Sequence, residues 1–563
     1  MPTPPIIGID LGTTTSMACV ADRHGKIQII DPDPSVKGGN AFMPSLFVHT
    51  NGKVRVGFRV KQEAGLHGSE NVIRNVKREM NNKERVFQSG GKYFQPPQIS
   101  GFILEYLRRQ AEQQLSLKSG AIKEAVVTVP AYFGDVARRA TEEAGRLAGF
   151  EKVYLLPEPV AAAIGLGLNT PRRPRLIMVV DLGGGTLDIT LMMVGQNVGN
   201  AGFQVLAVGG DTSFGGLNWD NEIATLAVHK TQIEAYDSPD PLTQMRMLDI
   251  NTSDRVYDEA ERIKIALNRN PGLDQDLFSY HDGKTPLDYV LRRETYNKLS
   301  TDLAAQVAAA CDALLRDVHE RDRQVISEAR RKWYQFGRSP VLRNLEWSDI
   351  EGVYLCGGGG LIRDVRCVLE DRCGTLPELA ANPQHCVAFG AARCAGRLKE
   401  TPDIFKRLQT RSPHTYGIFA FPRSLKQPKF HPLIHRNTIL PYQPEKPVRF
   451  NVRGRGANFL VKIVEELTLS KESRESLPTP NPPHNGVSSR LIKVPGNLNH
   501  EVWLDPANEK EYRVVAEARI EDIGTNEPQE GEQVYFQIRY PETSSLVFSA
   551  MFRGKPCEVK IGD

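Results

Sequence analysis

Two segments of the sequence combine aspartate, glycine and hydroxyl residues in a spacing suited to phosphate chemistry. Asp10-Leu-Gly-Thr-Thr-Thr-Ser16 and Asp181-Leu-Gly-Gly-Gly-Thr-Leu-Asp188 each follow a short apolar run. Glycine at a strand-to-strand turn lets backbone N–H groups face a phosphate with no Cβ in the way, and neighbouring hydroxyls add donors. Gly12, Thr13 and Thr14 in one copy, and Gly183, Gly184, Gly185 and Thr186 in the other, are therefore candidates to grip a polyphosphate from two sides. Asp10 and Asp181 close the preceding strands, where their carboxylates would offer oxygen partners to a hydrated Mg²⁺. A third segment, Leu355-Cys-Gly-Gly-Gly-Gly-Leu-Ile-Arg363, runs from strand through glycines into helix and suits close approach by a nucleoside.

A single Asp-Leu-Gly reads most simply as a tight hairpin. Two copies and a third glycine-rich strand end favour the nucleotide reading. Other phosphate motifs fit poorly: no Gly-x-x-x-x-Gly-Lys-Ser/Thr occurs, since Gly283-Lys-Thr lacks the upstream glycine, and no Gly-x-Gly-x-x-Gly follows a strand.

The elements that would hold these residues alternate as α/β layers up to about residue 396. The apolar pattern predicts strands at Ile6–Asp10, Ala125–Val129, Leu176–Asp181, Ile189–Val194, Gln204–Val208 and Gly352–Cys356. Helical periodicity predicts helices at Gly101–Leu117, Asp135–Ala148, Ser253–Leu267, Tyr296–Val318, Leu361–Glu370 and Cys386–Leu398. The echo between the two Asp-Leu-Gly segments points to two duplicated α/β halves facing one another across a cleft. Beyond Leu398, prolines break any helix and short alternating runs take over, so a β-rich domain is expected from residue 417. Ser470–Ser489 reads as a loop.

Composition narrows the classes further. The chain has 563 residues, 40% of them hydrophobic and 25% charged, which suits more than one globular core. Lys plus Arg is 71 against 67 Asp plus Glu, a net +4, so no global field favours nucleic acid or a bilayer. The start lacks a basic-then-apolar leader and no stretch of about 18 apolar residues occurs, which predicts a cytoplasmic protein with no membrane partner. The eight cysteines include no Cys-x-x-Cys pair, favouring reduced thiols over zinc.

Taken together, the motifs resemble the nucleotide-binding domain of the heat-shock protein 70 (DnaK) family, within the actin and sugar-kinase superfamily. The resemblance covers residues 6–397. Gly8–Ser16 is similar to the family's first phosphate loop, Val127-Thr-Val-Pro-Ala-Tyr-Phe133 to its interlobe strand and turn, and Leu156-Pro-Glu-Pro-Val-Ala-Ala-Ala163 to its connecting segment. Asp181–Asp188 resembles the second phosphate loop, and Gly209-Gly-Asp-Thr-Ser-Phe-Gly-Gly216 the following glycine-rich turn.

The resemblance implies a duplicated, two-lobed actin/ribonuclease-H-like ATPase domain over residues 1–397, using ATP/ADP and Mg²⁺. Asp10 and Asp181 would hold metal-bound waters, with Glu158 in that outer shell. Lys77, in Arg74-Asn-Val-Lys-Arg-Glu79, matches the family lysine that orients the attacking water, with Thr186 and Asp188 beside the γ-phosphate. Gly209, Gly210 and Asp211 join the nucleotide site. Glu261, Lys264 and Asn268 share one helix face that meets adenine and ribose, opposite Gly357, Gly358 and Leu361. Pro130 and Arg138 match residues that relay nucleotide state to the neighbouring domain.

Residues 398–416 would be the interdomain linker, and 417–563 a β-sandwich for extended polypeptide that ends without a helical lid. The family further implies a J-domain co-chaperone and a nucleotide exchange factor as partners. The implied function is an ATP-dependent chaperone; a non-catalytic nucleotide sensor or scaffold on the same fold is the alternative, with sugar-kinase-type phosphotransfer disfavoured for lack of a substrate acid-base motif.

This sequence departs from the family pattern in four places. Gly359-Gly-Leu361 stands where the family has paired glycines followed by Ser-Thr-Arg, removing a stacking arginine. Asn382-Pro-Gln-His385 replaces an acidic helix start, Tyr154 stands where the family has the arginine used toward its J-domain partner, and the linker segment Pro402–Arg411 is more basic and less apolar. Residues 319–343 form an Arg-rich insertion with Trp333, Tyr334 and Phe336, read as a solvated helix or a docking surface.

Overall fold

A computed structural model describes residues 4–401 apart from 23, 35–40, 61–70, 169–170, 197, 199–201, 231–249, 282–285, 319–322, 324–325, 327–343, 381 and 399, and beyond them 410–420, 429–436, 438–440, 448–451, 459–466, 512–520, 533–540, 546–552 and 555–561. The chain splits into two compact units, residues 1–133 with 137–409, and residues 410–563 with 134–136.

The larger unit is mixed α/β and contains two sheets of the same plan. In the first, β1 (Ile7–Leu11) and β2 (Thr15–Ala21) form an antiparallel hairpin, β3 (Ile27–Ile30) and the short β4 (Met43–Pro44) pair with β2, and β5 (Glu124–Val129) and β6 (Lys152–Pro157) add in parallel, giving the order β6-β5-β1-β2-β3. In the second, β7 (Arg175–Leu182) and β8 (Leu187–Val194) form the hairpin and β9 (Phe203–Asp211) continues antiparallel. There β10 (Gly352–Cys356) and β11 (Glu378–Leu379) add in parallel on the other side, giving β9-β8-β7-β10-β11. In each sheet the hairpin turn carries one of the two glycine-hydroxyl segments.

The central strands read as continuous apolar runs because helices cover both faces. Seven of the eight residues of β7 and all of β8 are buried. One layer, containing α4 (Gly216–Lys230), α5 (Ile250–Arg269) and α6 (Arg293–Arg316), brings Trp219, Ala260, Ile263 and Val307 into one core with Met178, Val180 and Ile189. α3 (Glu158–Gly165) and α8 (Cys386–Arg397) bring Ala161, Ala162, Val387 and Ala391 into a second core with Ile177 and Val179. These two helices approach so closely that a Cβ at Gly390 would lie 1.7 Å from the Ala161 carbonyl oxygen. On the first sheet, α1 (Pro96–Gln114) packs Ile99, Ile103 and Leu107 against Ile7, Ile9 and Val127.

The predicted strand Gly352–Cys356 coincides with β10, and the other predicted strands lie within one to three residues of the observed bounds. Helix ends shift more. α1 begins at Pro96 rather than Gly101, because prolines suit the first helical positions and Gln95 and Gln98 form a reciprocal capping box. It ends at Gln114, ahead of Ser116, whose φ of 53° cannot continue a helix. α7 (Arg363–Cys373) starts two residues after the predicted Leu361, which belongs instead to a single 3₁₀ turn, Gly359–Leu361.

In the smaller unit, β12 (Tyr416–Ala420), β13 (Lys429–Ile434), β14 (Val448–Asn451), β15 (Phe459–Glu466), β16 (Tyr512–Ile520), β17 (Gln533–Arg539), β18 (Val547–Phe552) and β19 (Lys555–Ile561) pair antiparallel throughout, in the order β13-β12-β15-β16-β19-β18-β17-β14. Tyr416, Ile418, Ile463, Val515 and Tyr540 form its core. The strand texture expected beyond residue 417 is thus present. Residues 402–409 of the expected linker, most of the 319–343 insertion and the Ser470–Ser489 loop lie outside the described residues. The seven cysteines of the larger unit are free, and no helix among the described residues is long and apolar enough to cross a membrane.

Candidate functional site

The turns of the two hairpins meet. A Cβ at Gly184 would fall 2.5 Å from the Thr14 Oγ1, and one at Gly185 would fall 2.5 Å from the Thr13 Cγ2, so only glycine permits this approach. Each turn is fastened from outside. The Ser45 hydroxyl donates to the Gly12 carbonyl at 2.8 Å and the Ser45 N–H to the Thr14 carbonyl at 2.8 Å. In the other turn Gly183 N–H donates to Thr186 O at 3.0 Å, while Gly216 and Leu217, at the start of α4, donate to the Gly183 and Gly184 carbonyls at 2.9 and 2.8 Å.

Where the turns meet, a cavity of 280 Å³ opens, lined by Asp10, Gly12, Thr13, Thr14, Lys77, Glu158, Asp181, Gly183, Gly184 and Thr186 at one end. Its other end is lined by Glu261, Lys264 and Asn268 of α5 and by Gly357, Gly358 and Leu361 after β10. Residues expected on sequence grounds to act together therefore share one space, although they come from every quarter of the larger unit.

Acidic groups dominate the floor. Asp10, at the end of β1, accepts from the Thr128 hydroxyl at 2.8 Å. Asp181 stands directly opposite Asp188 in the β7–β8 register. Lys77 forms a buried ion pair with Glu158, the first residue of α3, and lies 6.0 Å from the Phe133 ring centroid. Burial raises the carboxyls of Asp10 and Glu158 above the usual range, with Lys77 opposing in both cases. Asp181 is raised well above it by burial and then by the charge of Glu158. Asp188 is raised to about 8 by burial and by Glu158, again against the pull of Lys77. For Lys77 itself burial acts to lower the ammonium's pKa, but Glu158 and Asp10 outweigh it and the net shift is upward. Three buried carboxyls and the half-buried Asp10 share one buried ammonium, an arrangement short of positive charge.

That shortage fits a divalent cation. Among the described residues no group of three or more His, Cys, Asp or Glu side chains is arranged to hold a metal directly. A hydrated Mg²⁺, which keeps most of its waters and needs only one or two carboxylate neighbours, suits Asp10 and Asp181 better than a dehydrated ion would.

The remaining predicted residues are distributed as follows. Gly209 and Gly210 pair with Ile189 and Asp188 in the β8–β9 ladder, and Asp211 with Leu187; none of these three, nor Gly185 or Asp188, lines the cavity. Gly210 has φ of 141°, and a Cβ there would lie 2.0 Å from the Leu187 carbonyl oxygen, so it allows β9 to pass the second turn. The Asp211 carboxylate accepts from the Ser213 N–H and hydroxyl, both at 2.7 Å. Pro130 ends β5, and Arg138 is buried on α2 (Asp135–Leu147); neither lines the cavity.

Three contributors escaped the sequence reading. Arg78 crosses from its short 3₁₀ turn to donate through Nε to the Gly185 carbonyl at 2.9 Å and through a terminal nitrogen to Asn218 Oδ1 at 3.4 Å. Asp220 on α4 receives the Lys264 ammonium at 2.7 Å, and burial raises its carboxyl to about 6 against the pull of Lys264. Ser45 fastens the first turn. Arg78 follows Lys77 directly, the one sequence signal that pointed to it.

A family model described as Hsp70 protein matches residues 6–327. Among curated relatives, the chaperone protein DnaK of Cenarchaeum symbiosum is 33% identical over 446 residues, covering 78% of this chain and 61% of that protein. The chaperone protein DnaK of Mycoplasma mobile is 31% identical over 442 residues, covering 77% and 64%. The chain thus spans about three fifths of the length of these relatives. The match takes in both hairpin turns, Lys77, Glu158 and the α5 face: this chain belongs to the Hsp70 family.

Proposed function

We propose that this chain is an ATP-dependent chaperone of the heat-shock protein 70 type, hydrolysing ATP to regulate binding of extended polypeptide. The observation that carries the reading is the meeting of two glycine turns over three carboxyls, Asp10, Glu158 and Asp181, and one buried lysine in a single cavity. The two like-planned sheets are the halves of a duplicated actin-like ATPase domain, and the antiparallel strands of the smaller unit are a β-sandwich that takes extended polypeptide.

In this reading the Gly12–Thr14 and Gly183–Thr186 turns bind the phosphate oxygens with backbone N–H groups and hydroxyls. Asp10 and Asp181 would hold the waters of a Mg²⁺ ion, with Glu158 behind them. When bound, the metal neutralises charge on the phosphates. Lys77 orients the attacking water, Asp188 and Thr186 stand beside the terminal phosphate, and Glu158 holds the ammonium in place. Hydrolysis is then a matter of positioning and charge stabilisation, with no covalent step required of the protein. Glu261 and Lys264 meet the ribose, and Pro130 and Arg138 pass the nucleotide state onward. ATP and polypeptide would be linked reciprocally, each altering the other's affinity by the same factor.

The test is the release of a fluorescent unfolded peptide from the full-length chain. ATP with Mg²⁺ should speed release at least about tenfold over ADP, within the range of ordinary coupling energies; equal release rates would remove the chaperone reading.

A further inference from the structure

Behind Asp181 lies a pair of thiols that the nucleotide reading does not use. Cys356 ends β10, opposite Asp181 in the β7–β10 register, and Cys386 is the first residue of α8. Both are buried and in the thiol form. The two segments are tied by the Gly357 N–H, which donates to the Pro383 carbonyl at 3.0 Å, and the same carbonyl accepts from the Cys386 thiol at 3.0 Å. With its own hydrogen directed at Pro383, the Cys386 sulfur accepts from Cys356. That hydrogen bond, ahead of burial, holds the Cys356 thiol well above its ordinary range. A buried cysteine by itself behaves as a small apolar residue, but two in contact form an oxidisable pair.

The setting makes such a bond consequential. Gly357, Gly358, Pro383, Gln384 and Val387, next to the two cysteines in sequence, line the cavity. Gly357 has φ of 74°, and a Cβ there would lie 2.5 Å from Asp181 Oδ1 and 2.4 Å from the Leu182 carbonyl oxygen. The backbone that follows Cys356 therefore has no slack against the Asp181 carboxyl. A disulfide is about 2 Å long, shorter than any contact between unbonded sulfurs. Closing it draws the end of β10 and the start of α8 together and shifts Gly357 against Asp181.

We propose that Cys356 and Cys386 are an oxidative modification site: a peroxide entering the empty cavity converts them to a disulfide that impairs nucleotide binding, and bound nucleotide shields them. The effect on binding rests on the nucleotide reading of the cavity; the cross-link does not. Cys386, 3% exposed against 0% for Cys356 and adjacent to the cavity-lining Val387, reacts first. Its sulfur attacks one peroxide oxygen, the O–O bond breaks, and the departing hydroxide takes the thiol proton as water, leaving a sulfenic acid. The Cys356 sulfur, already in contact, attacks the Cys386 sulfur. The S–O bond breaks, the S–S bond forms, and the leaving hydroxide takes the Cys356 proton as a second water. The two thiols lose two electrons in total, and these reduce one peroxide.

The experiment treats the nucleotide-free, full-length chain with hydrogen peroxide, blocks remaining thiols, and maps unreduced peptides by mass spectrometry, with binding of a fluorescent ATP analogue measured on the same samples. The expected result is a peptide joining Cys356 to Cys386 and a parallel loss of affinity of at least about tenfold, as displaced phosphate-site groups imply, both reversed by dithiothreitol. ADP at about 100 times its Kd should slow cross-linking about a hundredfold, because only the unliganded fraction reacts. Cys386→Ser should form no such peptide and keep its affinity after peroxide, and Cys356→Ala should do the same. Absence of the joined peptide in the parent overturns the proposal, as does cross-linking at the same rate with ADP, a cross-linked chain that binds the analogue as the reduced chain does, or an equal loss of affinity in the two variants. A reduced parent that binds neither the analogue nor ADP overturns the nucleotide reading and with it the effect on binding, while the peptide map still decides the cross-link.

Discussion

Lys77 and Glu158, 81 residues apart in sequence, are joined in a buried ion pair at the cavity floor. Each is also held by the wider cluster: the ammonium feels Asp10 and Asp188, and the carboxylate feels Asp10. Removing one member of such a pair strands the other in a low-dielectric setting, which costs about 3–5 kcal/mol. Lys77→Met, which removes the one ammonium these carboxyls share, should therefore lower the unfolding free energy of the larger unit by about 3 kcal/mol in the absence of nucleotide. Urea unfolding followed through the transition of that unit checks this, and a loss below about 0.5 kcal/mol, the scale of an exposed pair, would mean that the pair is not buried in solution.

Gly184 and Thr14 give a second prediction, resting on shape alone. A methyl group at Gly184 would sit 2.5 Å from Thr14 Oγ1 and must push the two turns apart. Gly184→Ala should weaken ATP binding at least about tenfold, since misplacing phosphate donors by a fraction of an ångström removes the advantage of preorganisation. Gly272→Ala, whose Cβ would make an ordinary 3.6 Å contact with Asn270, is the control and should bind ATP as the parent does. Equilibrium titration with a fluorescent ATP analogue measures both.

The floor carboxyls predict a proton count. Asp188 is raised to about 8 from an ordinary 3.8, by burial first and Glu158 second, which favours its protonated form at neutral pH. A cation brought among these groups favours their charged forms, so binding of Mg²⁺ alone should release protons, whereas an anionic phosphate beside Asp188 opposes that release. Calorimetry of Mg²⁺ binding at pH 7 in buffers of different ionisation enthalpy should show that release, falling off by pH 9, and the affinity for Mg²⁺ should rise with pH up to about 8. Stability of the empty protein runs the other way. A carboxyl with a raised folded-state value adds stability that is full below pH 3.8 and disappears as pH climbs through about 8, so Mg²⁺ should protect against unfolding most at the alkaline end.

Much of this site was legible in the sequence because its parts are local. Asp-Leu-Gly after an apolar run encodes a strand, its terminal carboxylate and its turn within a dozen residues, and the second copy supplied the pairing partner. Asp10, Asp181, Lys77, Glu158 and Asn268 do share one cavity. What escaped is non-local. Arg78 reaches a carbonyl 107 residues away and Lys264 reaches a carboxylate 44 residues away, and no periodicity reports such meetings. Gly209 and Gly210 lie in the ladder behind the second turn and do not line the cavity, and at Gly210 backbone clearance explains the glycine. The helix ends moved for a similar reason: capping by Gln95 and Gln98 and the left-handed Ser116 overrode apolar periodicity in α1.

Asn268 predicts a stability effect through its hydrogen bond to another helix. Its side chain accepts from the first N–H of α7, acting as a cap supplied by another helix. Asn268→Ala should cost about 1 kcal/mol through that cap. Hydrogen exchange should show faster opening confined to the first turn of α7, with α1 unaffected.

The most direct test is single-turnover hydrolysis of radiolabelled ATP with Mg²⁺ by the full-length chain and by Lys77→Ala. The parent should release labelled phosphate to water, and the variant should still bind ATP but hydrolyse it at least about a hundredfold more slowly, as expected when a positioned charge is withdrawn from a phosphoryl-transfer site. Hydrolysis at equal rates in the two proteins, or none in the parent, would contradict the assignment of this cavity as an ATPase centre.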